Sequence, residues 1–63
     1  MCLAKVYIRE NNNDSLIMET VSHIQKKNGK LLLKTILRQE KEVEADIDEI
    51  DLTGSKIILK PRK

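Results

Sequence analysis

A chain of 63 residues forms at most one domain and is too short to enclose a substrate pocket. Its 12 basic and 10 acidic residues leave a net charge of +2, too balanced to argue for a nucleic-acid partner on charge. One cysteine rules out an intramolecular disulfide, so a chain burying only about 60% of its unfolded surface needs a metal, a second copy or a very well packed core.

The first run of the chain, Cys2 to Arg9, alternates. Cys2, Ala4, Val6 and Ile8 form an apolar row, while Leu3, Lys5, Tyr7 and Arg9 form a mixed one. This is the pattern of a half-buried strand, with Cys2 at the start of its core-facing row. Asn11-Asn12-Asn13-Asp14 then breaks the run, because Asn and Asp tolerate the left-handed conformations that turns need. A long second run covers Ser15 to Lys27. Leu16, Met18 and Thr20 share one face, Ile17, Glu19 and Val21 the other. The pattern blurs near Val21 to Ile24, which predicts a bend or bulge.

Asn28-Gly29 is a strong hairpin signal. The run after it, Lys30 to Arg38, opens with Leu31-Leu32-Leu33, apolar on both faces, which predicts a central strand. From Glu40 to Ile47 the alternation is clean, with Glu42, Glu44 and Asp46 on one side and Val43, Ala45 and Ile47 on the other. Glu, Lys and Ala would also suit a helix over Gln39 to Asp48, but apolar residues repeating every two positions favour strand. Ile50 to Leu52 and Lys56 to Lys60 form the last pair, joined at Thr53-Gly54-Ser55. Pro61 ends the ladder because it has no N–H to donate, and Arg62-Lys63 reads as a free tail. The expected fold class is all-β. Five to six short strands form a single domain over residues 1–63, as a small barrel or strongly bent sheet that closes its own edges.

No apolar stretch of signal-peptide length follows Lys5 and Arg9, and none approaches the roughly 18 residues of a membrane span. With one free thiol and many charges, the expected location is a reducing cytoplasm. The charges are segregated. Seven of the ten acidic residues lie between Glu40 and Asp51, whereas Lys56 to Lys63 holds four basic residues and no acidic one. Solvated faces explain this, as would complementary surfaces between two copies.

Cys2 is the residue with the most chemistry. The opening run Met1-Cys2-Leu3-Ala4-Lys5-Val6 places the only thiol directly after the first residue. Its thiolate can bind a soft or borderline metal, and a neighbouring nitrogen can chelate with it. A lone cysteine on an apolar strand face is more often a small buried hydrophobe, and position is what sets this one apart.

At Met1-Cys2-Leu3-Ala4-Lys5-Val6-Tyr7 the chain resembles the CooT-type family of small nickel-binding proteins. Its length, the Asn/Asp turn after the first strand and the ending Ile50-Asp51-Leu52-Thr53-Gly54-Ser55-Lys56-Ile57-Ile58-Leu59 fit the same family. The opening also resembles HypC-type hydrogenase maturation chaperones. Those continue with a Gly or Pro a few residues on, and this chain has neither there. The resemblance implies an SH3-like barrel that forms a homodimer. It also implies Ni(II) bound by Cys2 from two subunits at their interface, in a nickel chaperone or buffer serving a nickel-enzyme client. No other ligand of the family is matched residue by residue. Ni(II) favours square-planar sites rich in nitrogen and sulfur, which the Cys2 thiolate and a deprotonated backbone nitrogen can supply. While Met1 is in place the α-amine belongs to Met1, so Cys2 contributes its thiolate and its amide only.

Other candidates carry blander readings. His23, the only histidine, could ligate nickel, but a sheet-surface histidine is the commoner case. Met18 reads as core filler. Glu42, Glu44 and Asp46 spread along one strand face without enclosing an ion, so a solvated face is expected. Lys26, Lys27, Lys30 and Lys34 could touch phosphates, yet Tyr7 is the only aromatic and gives bases no platform. No catalytic arrangement or phosphate loop is present, so an enzyme is not expected. Three function classes follow. They are a nickel-binding chaperone or buffer, an assembly chaperone contacting a partner protein through Cys2, and a small RNA-binding barrel using the lysines around Asn28.

Overall fold

Residues that alternate apolar and polar cannot satisfy their backbone alone, so each run needs a neighbour to bury one face and complete its ladder. A computed structural model shows how these neighbours are arranged and describes residues 3–62. The strands are β1 (Ala4–Glu10), β2 (Asn13–Lys27), β3 (Lys30–Thr35), β4 (Glu40–Val43), β5 (Ala45–Asp51) and β6 (Lys56–Pro61). They form one sheet in the order β4-β3-β2-β1-β6-β5. Only β1 and β6 run parallel; the other neighbours are antiparallel.

The turns fold as their residues dictate. Asn11 (φ 52°) and Asn12 (φ 65°) both sit in the left-handed region between the paired residues Glu10 and Asn13. Asn28 (φ 51°) and Gly29 (φ 77°) do the same between Lys27 and Lys30. Two consecutive positive φ values match the right-handed twist of the flanking strands. The predicted bend in β2 is real and sharper than expected. Thr20, a β-branched residue, has φ 55°. The pairing of β2 with β1 slips between Ala4 and Tyr7, and its pairing with β3 slips between Val21 and His23. Such bulges kink a strand and increase its twist. β2 thereby serves β1 with its first half and β3 with its second.

The sheet curls into an open half-barrel of SH3-like form, and the chain path requires it. Strands β4 and β5 lie at opposite edges of the sheet, yet only Glu44 separates them in sequence. The edges must therefore meet, and β3 packs against β5 across the fold. The continuous strand expected from Glu40 to Ile47 is corrected here. It breaks at Glu44, because the chain crosses from one edge to the other at that residue. The break expected after Ile47 is absent. β5 runs on to Asp51, with a slip in its pairing to β6 between Ile47 and Glu49. The run expected from Lys30 to Arg38 ends at Thr35 in a turn. No helix forms among the described residues. Arg62 is not a free tail residue, since its N–H donates to the Glu44 carbonyl at 3.2 Å. Lys63 lies outside the described residues.

The core is small. Val6, Val21, Leu31, Leu33, Ala45 and Leu59 form it, with Ile8, Ile17, Met18, Ile24, Val43 and Ile57 packed around. Of the core-facing row read in β1, Val6 is wholly buried and Ile8 packs against the core, while Cys2 lies outside the described residues. β3 is central, with Leu31 and Leu33 buried and Leu32 half-buried. Ile58 is also buried, although it lies on the opposite face of β6 from Leu59. Ile58 is paired with Tyr7 on β1 and with Glu49 on β5. Across the sheet, Arg9 on β1 binds Asp14 at 2.8 Å and reaches Asp48 at 3.2 Å and Glu49 at 3.4 Å on β5.

Each large core side chain contributes about 1.5–3 kcal/mol by burial, and few of them are present. Leu33→Ala should therefore lower stability by about 2–5 kcal/mol in urea denaturation. Leu52→Ala, at a position 84% exposed, should change it by about 0.5 kcal/mol or less.

Candidate functional site

Cys2, the candidate metal ligand, lies outside the described residues; the structure begins with its neighbour Leu3. Leu3 and Ala4 form one wall of an apolar groove of about 270 Å³. Ile50, Leu52 and Ile57 form the other, with Asp51, Ser55 and Lys56 at the rim. Ile50 is 53% exposed and Leu52 84%. A chain with so few apolar residues leaves two of them in water beside the start of β1.

The groove is held by local bonds. The Lys5 N–H donates to the Ser55 carbonyl at 3.0 Å, tying the start of β1 to the β5–β6 turn. The turn itself is built on Asp51, whose Oδ1 accepts from the Thr53 hydroxyl at 2.7 Å and the Gly54 N–H at 3.0 Å. Gly54 is fitted to this carboxylate, since a Cβ there would lie 3.0 Å from Asp51 Oδ2. The Thr53 hydroxyl, then the Gly54 N–H, hold the Asp51 carboxyl below its ordinary 3.8. Asp14 is lowered in the same sense, mainly by its hydrogen bond from Arg9.

The other candidates are dispersed. His23 is exposed on β2, its Nδ1 3.0 Å from the Ser22 hydroxyl. Met18 packs against the core, as expected of a filler. Glu42, Glu44 and Asp46 are exposed, with Glu44 3.8 Å from Lys30. Among the described residues no three His, Cys, Asp or Glu side chains converge to hold a metal ion. Asp51, the one carboxylate on the groove, has its Oδ1 engaged in the turn. Residues missed in the sequence are those of the Arg9 cluster. Arg9 and Asp14 face each other across the first hairpin, but Asp48 and Glu49 are distant in the chain, and only strand order brings them to Arg9. No helix is long and apolar enough to cross a membrane, among the described residues.

The lowered Asp51 carboxyl gives a test of the groove's wall. A depressed folded-state pKa contributes stability above the ordinary value of 3.8, lost as pH falls through the folded value. Asp51→Asn should therefore lower the melting temperature at neutral pH. The difference from the parent should shrink as pH falls below about 4. A difference that stays constant down to low pH would place the effect elsewhere.

Three comparisons with known proteins bear on this arrangement. No curated protein matches the chain. Among solved structures, the fold superposes with a TM-score of 0.92 on the crystal structure of a protein designated CooT from Carboxydothermus hydrogenoformans. Identity is 27%, over 98% of this chain and all of that one. The family described as "CO dehydrogenase accessory protein CooT" matches residues 1–60. That family is one of accessory proteins rather than enzymes, and its match takes in Cys2, every strand core and the groove beside Leu3. This chain belongs to the CooT family.

Proposed function

We propose that this protein binds Ni(II) through Cys2 and acts as a nickel chaperone or buffer for a nickel enzyme, with CO dehydrogenase, named in the family description, as the client class. The observation that carries the reading is the family match over residues 1–60, which begins on the Met1-Cys2 opening. Thiolate and backbone nitrogen suit Ni(II), and a donor set larger than one thiolate calls for a second copy. The apolar groove of Leu3, Ala4, Ile50, Leu52 and Ile57 supports such pairing, because its two exposed apolar side chains gain by leaving water together. Cys2 would supply the thiolates from both copies, and metal binding would release their protons, so affinity would rise with pH.

A second reading, an assembly factor that contacts its client directly through this end, is favoured by the 84% exposure of Leu52. An RNA-binding role is less supported. The only aromatic, Tyr7, has Lys56 Nζ 5.9 Å from its ring centre, and no second aromatic could stack a base.

Native mass spectrometry of reduced protein titrated with Ni(II), parent beside Cys2→Ala, decides between the readings. One nickel per dimer in the parent and none in the variant is expected. Nickel retained by Cys2→Ala would overturn the assignment. A protein that retains no nickel but captures CO dehydrogenase in a Cys2-dependent way would be an assembly factor.

A further inference from the structure

At the end of β3 the chain turns through Thr35-Ile36-Leu37-Arg38-Gln39 without a Gly, Pro, Asn or Asp. Such a turn lacks the residues that make turns inexpensive. Its shape is nonetheless fixed. The Thr35 hydroxyl, on a residue only 5% exposed, accepts from the Leu37 and Gln39 N–H groups, each at 3.2 Å. The Thr35 N–H donates to the Gln39 carbonyl at 2.9 Å, and the Ile36 N–H to the Thr20 carbonyl at 3.2 Å. Arg38 is held at φ 67°, where a glycine would sit without strain.

What this rigid turn displays is unusual for a solvent loop. Ile36 is 49% exposed and Leu37 73%. Beside them lies a concavity lined by Ser22, His23, Lys34, Thr35, Ile36, Arg38 and Glu40, in which two cations outnumber the one carboxylate. Among the described residues neither Lys34 nor Arg38 is in an ion pair, although Lys34 stands opposite Glu40 in the ladder. Two free cations, a hydroxyl and two exposed aliphatic side chains thus converge on one rigid element. This surface shares no residue with the groove beside Leu3.

We infer that the Lys34–Arg38 concavity is a docking site for an extended acidic and apolar segment of a partner protein. The cations take its carboxylates, and Ile36 and Leu37 take its aliphatic side chains. Charge complementarity selects the acidic partner, and the exposed aliphatic pair selects alternating apolar residues. A nucleic acid fits less well. No aromatic lies here to stack a base. Local rules broken at a well-fixed turn are a mark of a working surface, since strain and exposed apolar groups otherwise only cost stability.

The test uses the full chain, without metal, and a short fluorescein-labelled peptide alternating leucine with glutamate. Fluorescence anisotropy should show binding that weakens with added salt. Amide shift changes in NMR should cluster on Ser22, His23 and Lys34 to Glu40. Lys34→Glu with Arg38→Glu should weaken binding about tenfold or more while preserving spectral dispersion. Leu37→Gln, which leaves the charges in place, should weaken it on its own. The same peptide with lysine for glutamate should not bind. No binding, shifts centred on any other face, or a preference for oligouridylate or anionic vesicles over the peptide would each overturn the inference.

Discussion

Glu44 is the only residue between two strands that lie at opposite edges of the same sheet. That constraint organises the rest of the molecule. Six strands in the order β4-β3-β2-β1-β6-β5 can satisfy a one-residue link only by curling until the edges meet. Curling brings β3 over β5 and encloses Leu33, Val6 and Leu59, the best-buried side chains of the core. The edge strand β4 is four residues long and mostly charged, as edges of natural sheets tend to be.

The curl has to be generated somewhere, and β2 generates it. Fifteen residues are too many for one straight strand in a sheet this narrow. The bulges around Thr20 and Ser22 divide β2 into two halves facing different neighbours. Holding a β-branched residue at φ 55° costs about 1–2 kcal/mol. The Thr20 carbonyl recovers part of that by accepting the Ile36 N–H and so anchoring the β3 turn. The bend that closes the barrel and the turn that carries Ile36, Leu37 and Arg38 are therefore one structural unit. On the opposite face, Arg9 ties β2 to β5 over β6 through exposed ion pairs. Ion pairs this exposed contribute little Coulomb energy.

Two surfaces stand out among the described residues. One adjoins the start of β1, where Leu3 leads from Cys2 into the sheet. The other is the rigid turn after β3. The first is apolar with a single engaged carboxylate. The second combines aliphatic groups with unpaired cations. On the proposed reading, one contact would serve the metal and the other recognition of the client. A small barrel with working residues at the rims of its sheet can supply both without a pocket, since neither contact requires a substrate to be enclosed.

Much of this was written in local residue order. The all-β class, the core-facing row of β1, the two left-handed turns at Asn11-Asn12 and Asn28-Gly29, and the bend in β2 follow from side-chain period and from which residues tolerate positive φ. Cys2 stood out as the one thiol of the sequence. The break at Glu44 was not legible, because clean alternation continues through it while the chain changes sheet edge. Nor was the continuity of β5 through Asp48-Glu49, where a slip in pairing hides a strand from the period-two pattern. The Arg9 cluster, the half-buried groove at Leu3 and the basic concavity at Arg38 all join residues distant in sequence. Period and turn chemistry act between neighbours a few residues apart and so determine strands. Only the order and curl of the sheet decide which of those strands' side chains share a surface.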